Sequence, residues 1–234
     1  MGITTEKIVL EVPGSTKMPA YVARPATGGP HPGLIVFQEA FGVNGHIRKV
    51  TERFAEQGYV AIAPELFHRT APPGFEGSYN DFPSIMPHYQ AVTAEAAEAD
   101  ARTTYDWLRQ NSHVKADQIS SVGFCMGGRV SFIANSALPL RSAVSFYGGG
   151  IAPGRPDRAE KQHGPLLLVW GELDKHITPE HREALTEALR AQQKVYVNVE
   201  FSHADHGFFC DERPAYEPRS ARQAWALTLE FLRP

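Results

Sequence analysis

The sequence predicts an α/β fold, a mainly parallel sheet with helices on both faces. Three observations carry that reading. Six short runs have the length and β-branched or aromatic content of strands: "GLIVFQ" (33–38), "YVAIAP" (59–64), "ISSVGF" (119–124), "SAVSFY" (142–147), "PLLLVW" (165–170) and "KVYVNVEF" (194–201). Several are continuously apolar, the pattern of strands covered on both faces. Helix-like stretches alternate with them, and right-handed crossovers then bring the strand C-terminal ends to one edge, where such folds bind ligands. With 234 residues and 42% hydrophobic content, one domain spanning 1–234 is expected.

Taken in order, "KIVLEVPGSTKMPAYVARP" reads as a hairpin over about 7–25, turning at Pro13, Gly14 and Ser15. After the first buried strand a helix is expected over 44–57, with Asn44 as its cap, Ile47, Val50 and Phe54 on one face and Gly58 ending it. The "TAEAAEADARTTYDWLRQ" helix aligns Ala101, Tyr105 and Leu108 along one side. Further helices are expected through "GGRVSFIANSA", from Thr178 and Pro179, and through "ARQAWALTLEFL". The connection 66–89, rich in Pro, Gly and aromatics, is too long for plain wiring and reads as a lid or pocket wall.

Composition excludes several functions. The 23 Lys+Arg against 26 Asp+Glu give a net charge of −3, with no basic block to neutralise a phosphate backbone or an anionic membrane. No apolar run reaches the roughly 18 to 20 residues of a membrane span, and "MGITTEKIVL" has neither a leader pattern nor the Ser or Thr of a myristoylation signal, since Glu6 stands there. Two cysteines make no disulfide framework, so a cytoplasmic setting is expected. Neither nucleic acid nor membrane is expected as a partner, and no cofactor is implied.

The stretch "SVGFCMGG" places Cys125 between a strand and a helix, with Gly123 and Gly127 two positions either side. Small residues there let helix and strand approach closely enough to hold a nucleophile on a sharp turn. The helix start would then aim free amides at the thiol and favour thiolate. A buried core cysteine is the plain alternative. The α/β-hydrolase arrangement needs an acid and then a histidine on later strand exits. "GELDKHIT" offers Asp174, and "SHADHGFF" offers His203 and His206, with His206 preferred because Gly207 leaves its imidazole uncrowded. A metal cluster of His203, Asp205, His206 and Cys210 is disfavoured, because all four crowd one short loop.

The segments "FQEAFGVNGHIRKVTERFAEQGYVAIAPELFHR", "GFCMGGR", "SFYGG", "WGELD" and "DHGF" together resemble the dienelactone hydrolase family, cysteine-dependent members of the α/β-hydrolase fold. The resemblance implies Cys125 as nucleophile, His206 as general base and Asp174 as its orienting acid. It further implies that Glu39 contacts the resting cysteine, that the amides of Ala40 and Met126 form an oxyanion hole, and that Tyr147 lines the pocket. The implied activity is hydrolysis of a small-molecule ester or lactone. Members that act on an anionic lactone carry arginines for its carboxylate. Here Arg69 stands at the start of the long loop, Cys210 occupies the position four beyond His206, and Arg213 lies further on, so Arg69 and Arg213 are the candidate substrate-binding residues. A carboxylesterase or thioesterase acting on a neutral substrate, a glutamine amidotransferase and a cysteine-based oxidation sensor are the competing readings. The amidotransferase is disfavoured because no glutamate stands two residues after His206, and the sensor because it has no need of Asp174 and His206.

Overall fold

The structure is a computed structural model that describes residues 2–151 and 156–233; the remaining positions of the expected 1–234 unit lie outside the described residues. Its centre is a sheet of eight strands. In chain order they are β1 (Ile3–Glu11), β2 (Lys17–Pro25), β3 (His31–Phe37), β4 (Val60–Pro64), β5 (Val114–Phe124), β6 (Ala143–Phe146), β7 (Leu166–Gly171) and β8 (Tyr196–Phe201). Their spatial order is β1-β2-β4-β3-β5-β6-β7-β8. The β1/β2 and β2/β4 pairs are antiparallel, and every later pair is parallel. The expected hairpin therefore forms, and it begins earlier, at Ile3.

Among the described residues six α-helices flank the sheet: α1 (Gly45–Glu56), α2 (Phe82–Ala91), α3 (Ala94–Gln110), α4 (Met126–Ala137), α5 (Pro179–Ala191) and α6 (Pro218–Leu232). Asn44 caps α1 by accepting from the Ile47 amide, as its sequence suggests, and Thr93 caps α3 by accepting from Ala96. Strand β3 shows how the pleat divides the core, since successive side chains point to opposite faces. Leu34 and Val36 join Ile47, Val50 and Phe54 of α1 and Ala224 and Leu232 of α6. Ile35 and Phe37 join Ala101 and Leu108 of α3 and Val130 and Ile133 of α4. Each fully buried leucine, isoleucine, valine or phenylalanine contributes about 1.5–3 kcal/mol, and both faces of β3 are closed in this way.

Two local features depart from the sequence-based expectation. Strand β5 starts at Val114 rather than 119, because Val114 and Lys115 pair with His31 and Pro32 before the register jumps to Gly33 opposite Ile119. The connection 66–89 is not structureless. It contains the start of α2, where Pro83 occupies the first turn, the one place a helix tolerates proline, and Asp81 caps the turn by accepting from the Ser84 amide. Buried Ile85 then anchors this helix to the core on the β3, α3 and α4 side.

Candidate active site

The C-terminal exits of β3, β5, β6, β7 and β8 deliver Glu39, Cys125, Tyr147, Asp174 and His206 to one edge of the sheet. At the β5 exit, Cys125 adopts φ 55° and ψ −117°. That is a conformation an L-residue holds only when its surroundings over-determine it. The glycines are the reason it can be held. A Cβ on Gly123 would run into the Gly127 carbonyl, and one on Gly127 into the carbonyls of Phe37 and Gln38. The Cys125 amide donates to the Phe146 carbonyl at 3.0 Å, fixing the turn against β6. The Cys125 side chain makes no capping bond to α4, so the sulfur is left to face the site.

The imidazole comes next. His206 Nδ1 donates to Asp174 Oδ2 at 2.7 Å. The other oxygen, Oδ1, accepts from the amides of His176 at 2.8 Å and Ile177 at 3.2 Å, so the carboxylate is fixed from both sides. Burial favours the neutral forms of both groups. For His206 this is outweighed by the charge of Cys125, by hydrogen bonds to Asp174 and Cys125, and by the charge of Asp174, which together raise its pKa to about 10. For Asp174 the hydrogen bond and charge of His206 and the two amides outweigh burial and lower its pKa. The arrangement thus favours the protonated imidazole.

A cavity of about 570 Å³ opens over these groups, lined by Cys125, Met126, Ala40, His176, His206 and Arg213 on its polar side. Phe41, Tyr79, Phe82, Met86 and Tyr89 supply its apolar wall. Four of those five come from within residues 66–89. Met126 is the first residue of α4, where an amide has no acceptor within its own helix. Among the described residues neither its amide nor that of Ala40 donates to a protein acceptor.

The other expected site residues divide. Arg213 lines the cavity, its guanidinium 5.5 Å from the Phe41 ring centroid and 5.9 Å from that of Tyr79. Its Nη1 stands 3.5 Å from Glu39 Oε1, which also accepts from the Tyr147 hydroxyl at 3.4 Å. Among the described residues no hydrogen bond joins Glu39 to the Cys125 sulfur, and Glu39 Oε2 has no partner at all. The expected contact with the cysteine is therefore replaced by one with Arg213 and Tyr147. Tyr147 is wholly buried and stands behind the pocket rather than on its surface, packed 5.1 Å from the His206 ring. Arg69 does not reach the cavity. Both of its terminal nitrogens hold buried Asp100, each at 2.7 Å, which satisfies the guanidinium within the fold. His203 faces away as well, 3.3 Å from Glu217 and 3.4 Å from Ser220. Cys210 is buried against the Tyr79 hydroxyl at 3.4 Å, and burial with the nearby Glu39 charge pushes its thiol up to about 12.

His176, which no motif marks in the sequence, packs its ring 5.6 Å from that of His206. The second use of Gly207 is likewise not marked there. At φ +81° a Cβ there would occupy the space of the Arg213 guanidinium, so this glycine admits the arginine to the site.

The profile of the Dienelactone hydrolase family matches residues 18–234. This chain belongs to the dienelactone hydrolase family. Its relatives within the family include provisionally named carboxymethylenebutenolidases. One from Synechocystis is 34% identical, over 96% of this chain and 95% of that protein. Another, from Salmonella typhimurium, is 36% identical over 92% and 82% respectively. A provisionally named dienelactone hydrolase from Klebsiella pneumoniae, solved as a crystal structure, superposes with a TM-score of 0.90 at 32% identity over 99% of both chains. The chain is accordingly a dienelactone hydrolase-like hydrolase with the α/β-hydrolase fold. Among the described residues no helix is long and apolar enough to cross a membrane.

Proposed function

We propose that this hydrolase cleaves an ester or lactone bond through Cys125, His206 and Asp174, by way of an acyl-enzyme thioester. The observation that carries the proposal is the 2.7 Å His206–Asp174 bond, with Cys125 hydrogen-bonded to the same imidazole and both Cys125 and His206 lining one cavity. The Cys125 thiolate attacks the carbonyl carbon, and the carbonyl electron pair moves onto oxygen. The amides of Ala40 and Met126 stabilise that oxyanion, an effect of about 3–4 kcal/mol per donor. The intermediate collapses as the imidazolium gives its proton to the leaving alkoxide. Water then attacks the thioester while His206 takes its proton, and collapse of the second oxyanion releases the acid and restores the thiolate. Asp174 keeps the Nδ1 proton in place throughout, leaving Nε2 free for transfer.

The aromatic wall and the Glu39 carboxylate, which offsets the charge of Arg213, favour a substrate that is apolar around its carbonyl. A carboxylesterase or thioesterase activity on such a substrate is the second reading, supported by the same wall. The two free thiols fit a cytoplasmic setting.

Wild type, Cys125→Ser and His206→Ala are to be incubated with p-nitrophenyl esters, dienelactones and thioesters. Turnover abolished by both substitutions supports the triad, and the preferred panel member decides the substrate class. Turnover that survives Cys125→Ser and His206→Ala overturns the assignment, and absence of turnover combined with reversible peroxide oxidation of Cys125 favours a sensor. A direct restraint of the thiol by Glu39 requires faster iodoacetamide alkylation in Glu39→Gln; an unchanged rate leaves Glu39 acting only through Arg213 and Tyr147.

A further inference from the structure

A second cavity, of about 390 Å³, lies between α1 and α6 on the far side of the segment that carries His206 and Arg213. Its floor is apolar, built from Val50, Phe209, Ala221 and Trp225, and its rim carries Lys49, Arg53 and Arg222. The cations are not equivalent. Lys49 is paired with Glu212 at 3.0 Å. Among the described residues, Arg53 and Arg222 have no carboxylate within salt-bridge distance. Arg53 instead lies over the Trp225 ring at 4.0 Å, which orients its guanidinium and leaves its edge donors available. At the back of the cavity His46 is buried, its Nδ1 held 3.2 Å from Asp211 and its Nε2 without a hydrogen-bond partner. Asp211, the only acid among the described lining residues, bonds this histidine and lies near enough for its charge to act on Arg53 as well.

An apolar floor beneath two guanidinium groups that stand outside any salt bridge matches a small molecule with an apolar body and one anionic end. Guanidinium takes a planar carboxylate through paired donors, and the floor covers a ring or short chain. We infer that this cavity is a binding site for a small organic carboxylate, separate from the site over Cys125. Phe209 and Asp211 contribute to it from the segment whose ends, His206 and Arg213, line the first cavity. An acid bound there touches the backbone that positions the imidazole. The inference does not depend on the acyl-transfer chemistry, since binding is read without turnover.

Benzoate is the probe, benzamide its uncharged counterpart, and Trp225 the reporter. In the wild-type protein, benzoate should change tryptophan fluorescence saturably, and benzamide should bind at least about tenfold more weakly. The Arg53→Gln/Arg222→Gln protein should lose about tenfold or more in benzoate affinity while keeping its wild-type circular dichroism, and Trp225→Phe should lose the signal. Arg213→Met, which removes the cation of the first cavity and is checked by circular dichroism to be folded, should titrate like wild type. No saturable change, equal binding of the two probes, or an unaltered titration in the double variant overturns the site. Loss confined to Arg213→Met assigns the binding to the first cavity and overturns it equally.

Discussion

Replacing Asp174 with asparagine separates the charge on the acid from its shape. The carboxylate accepts three hydrogen bonds: one from His206 on Oδ2 and two from the amides of His176 and Ile177 on Oδ1. Asparagine keeps a carbonyl for the two amides, so the loop after β7 should hold. On the other side it presents an amide NH₂ to His206 Nδ1, and the imidazole must turn its proton to Nε2, where Cys125 needs an acceptor. A hydrogen bond to a charged group contributes about 1.5–3 kcal/mol, so the variant should melt roughly 3–12 °C lower. The wrong tautomer should lower kcat/KM on p-nitrophenyl acetate by roughly 1,000-fold to 10,000-fold. The stability deficit should also depend on pH. The pKa of His206 is raised from 6.5 to about 10, so its contribution is complete below 6.5 and is lost as pH rises through about 10. That of Asp174 is lowered from 3.8, so its contribution holds above 3.8 and is lost as pH falls through the lowered value. The difference between the two proteins in thermal scans should be widest between 3.8 and 6.5 and should narrow toward 10. A folded asparagine variant that keeps more than about a tenth of wild-type kcat/KM would refute the role given to Asp174.

Gly127→Ala places a methyl group on the carbonyls of Phe37 and Gln38, and the elbow must open to accept it; melting about 10 °C lower, with turnover lost, is expected from calorimetry and ester assay. Arg213→Met leaves buried Glu39 without its cation, and should cost about 2–4 kcal/mol in urea unfolding. Adding Glu39→Gln should restore most of that loss, whereas additive losses would mean the two groups are not coupled. Arg69→Ala strips the bidentate partner from buried Asp100 and should destabilise by about 3 kcal/mol with KM unchanged. A raised KM at unchanged stability would return Arg69 to the substrate.

The strands and their order along the chain were legible because β3, β4, β6 and β7 are buried on both faces and so appear as unbroken apolar runs. Cys125, Asp174 and His206 could be chosen for a related reason: each follows a recognisable strand, and the fold carries strand ends to a common edge. Charged partnerships were not legible in the same way. Arg69 and Arg213 look alike in sequence, and what separates them is a buried aspartate, Asp100 in the middle of α3, that claims the first. Glu39 was assigned to the cysteine although its position is decided by Tyr147 and Arg213, which lie 108 and 174 residues further along the chain. Helix α2 is hidden in the sequence because Pro83 and Pro87 argue against a helix locally, while the burial of Ile85 favours one only once the core is assembled.

The backbone twist at Cys125 gives the enzyme a built-in gauge of its own interior. A residue held at φ 55° costs of order 1–3 kcal/mol, and that cost is met only while Gly127 keeps its place beside the carbonyls of Phe37 and Gln38 and the Phe146 carbonyl keeps the Cys125 amide. When heat or denaturant loosens the seam between β3, β5 and α4, the elbow should relax to ordinary geometry before the sheet comes apart. Catalysis would then fade several degrees ahead of the melting transition, and substitutions deep in that seam would be felt first as slow enzymes and only later as unstable ones.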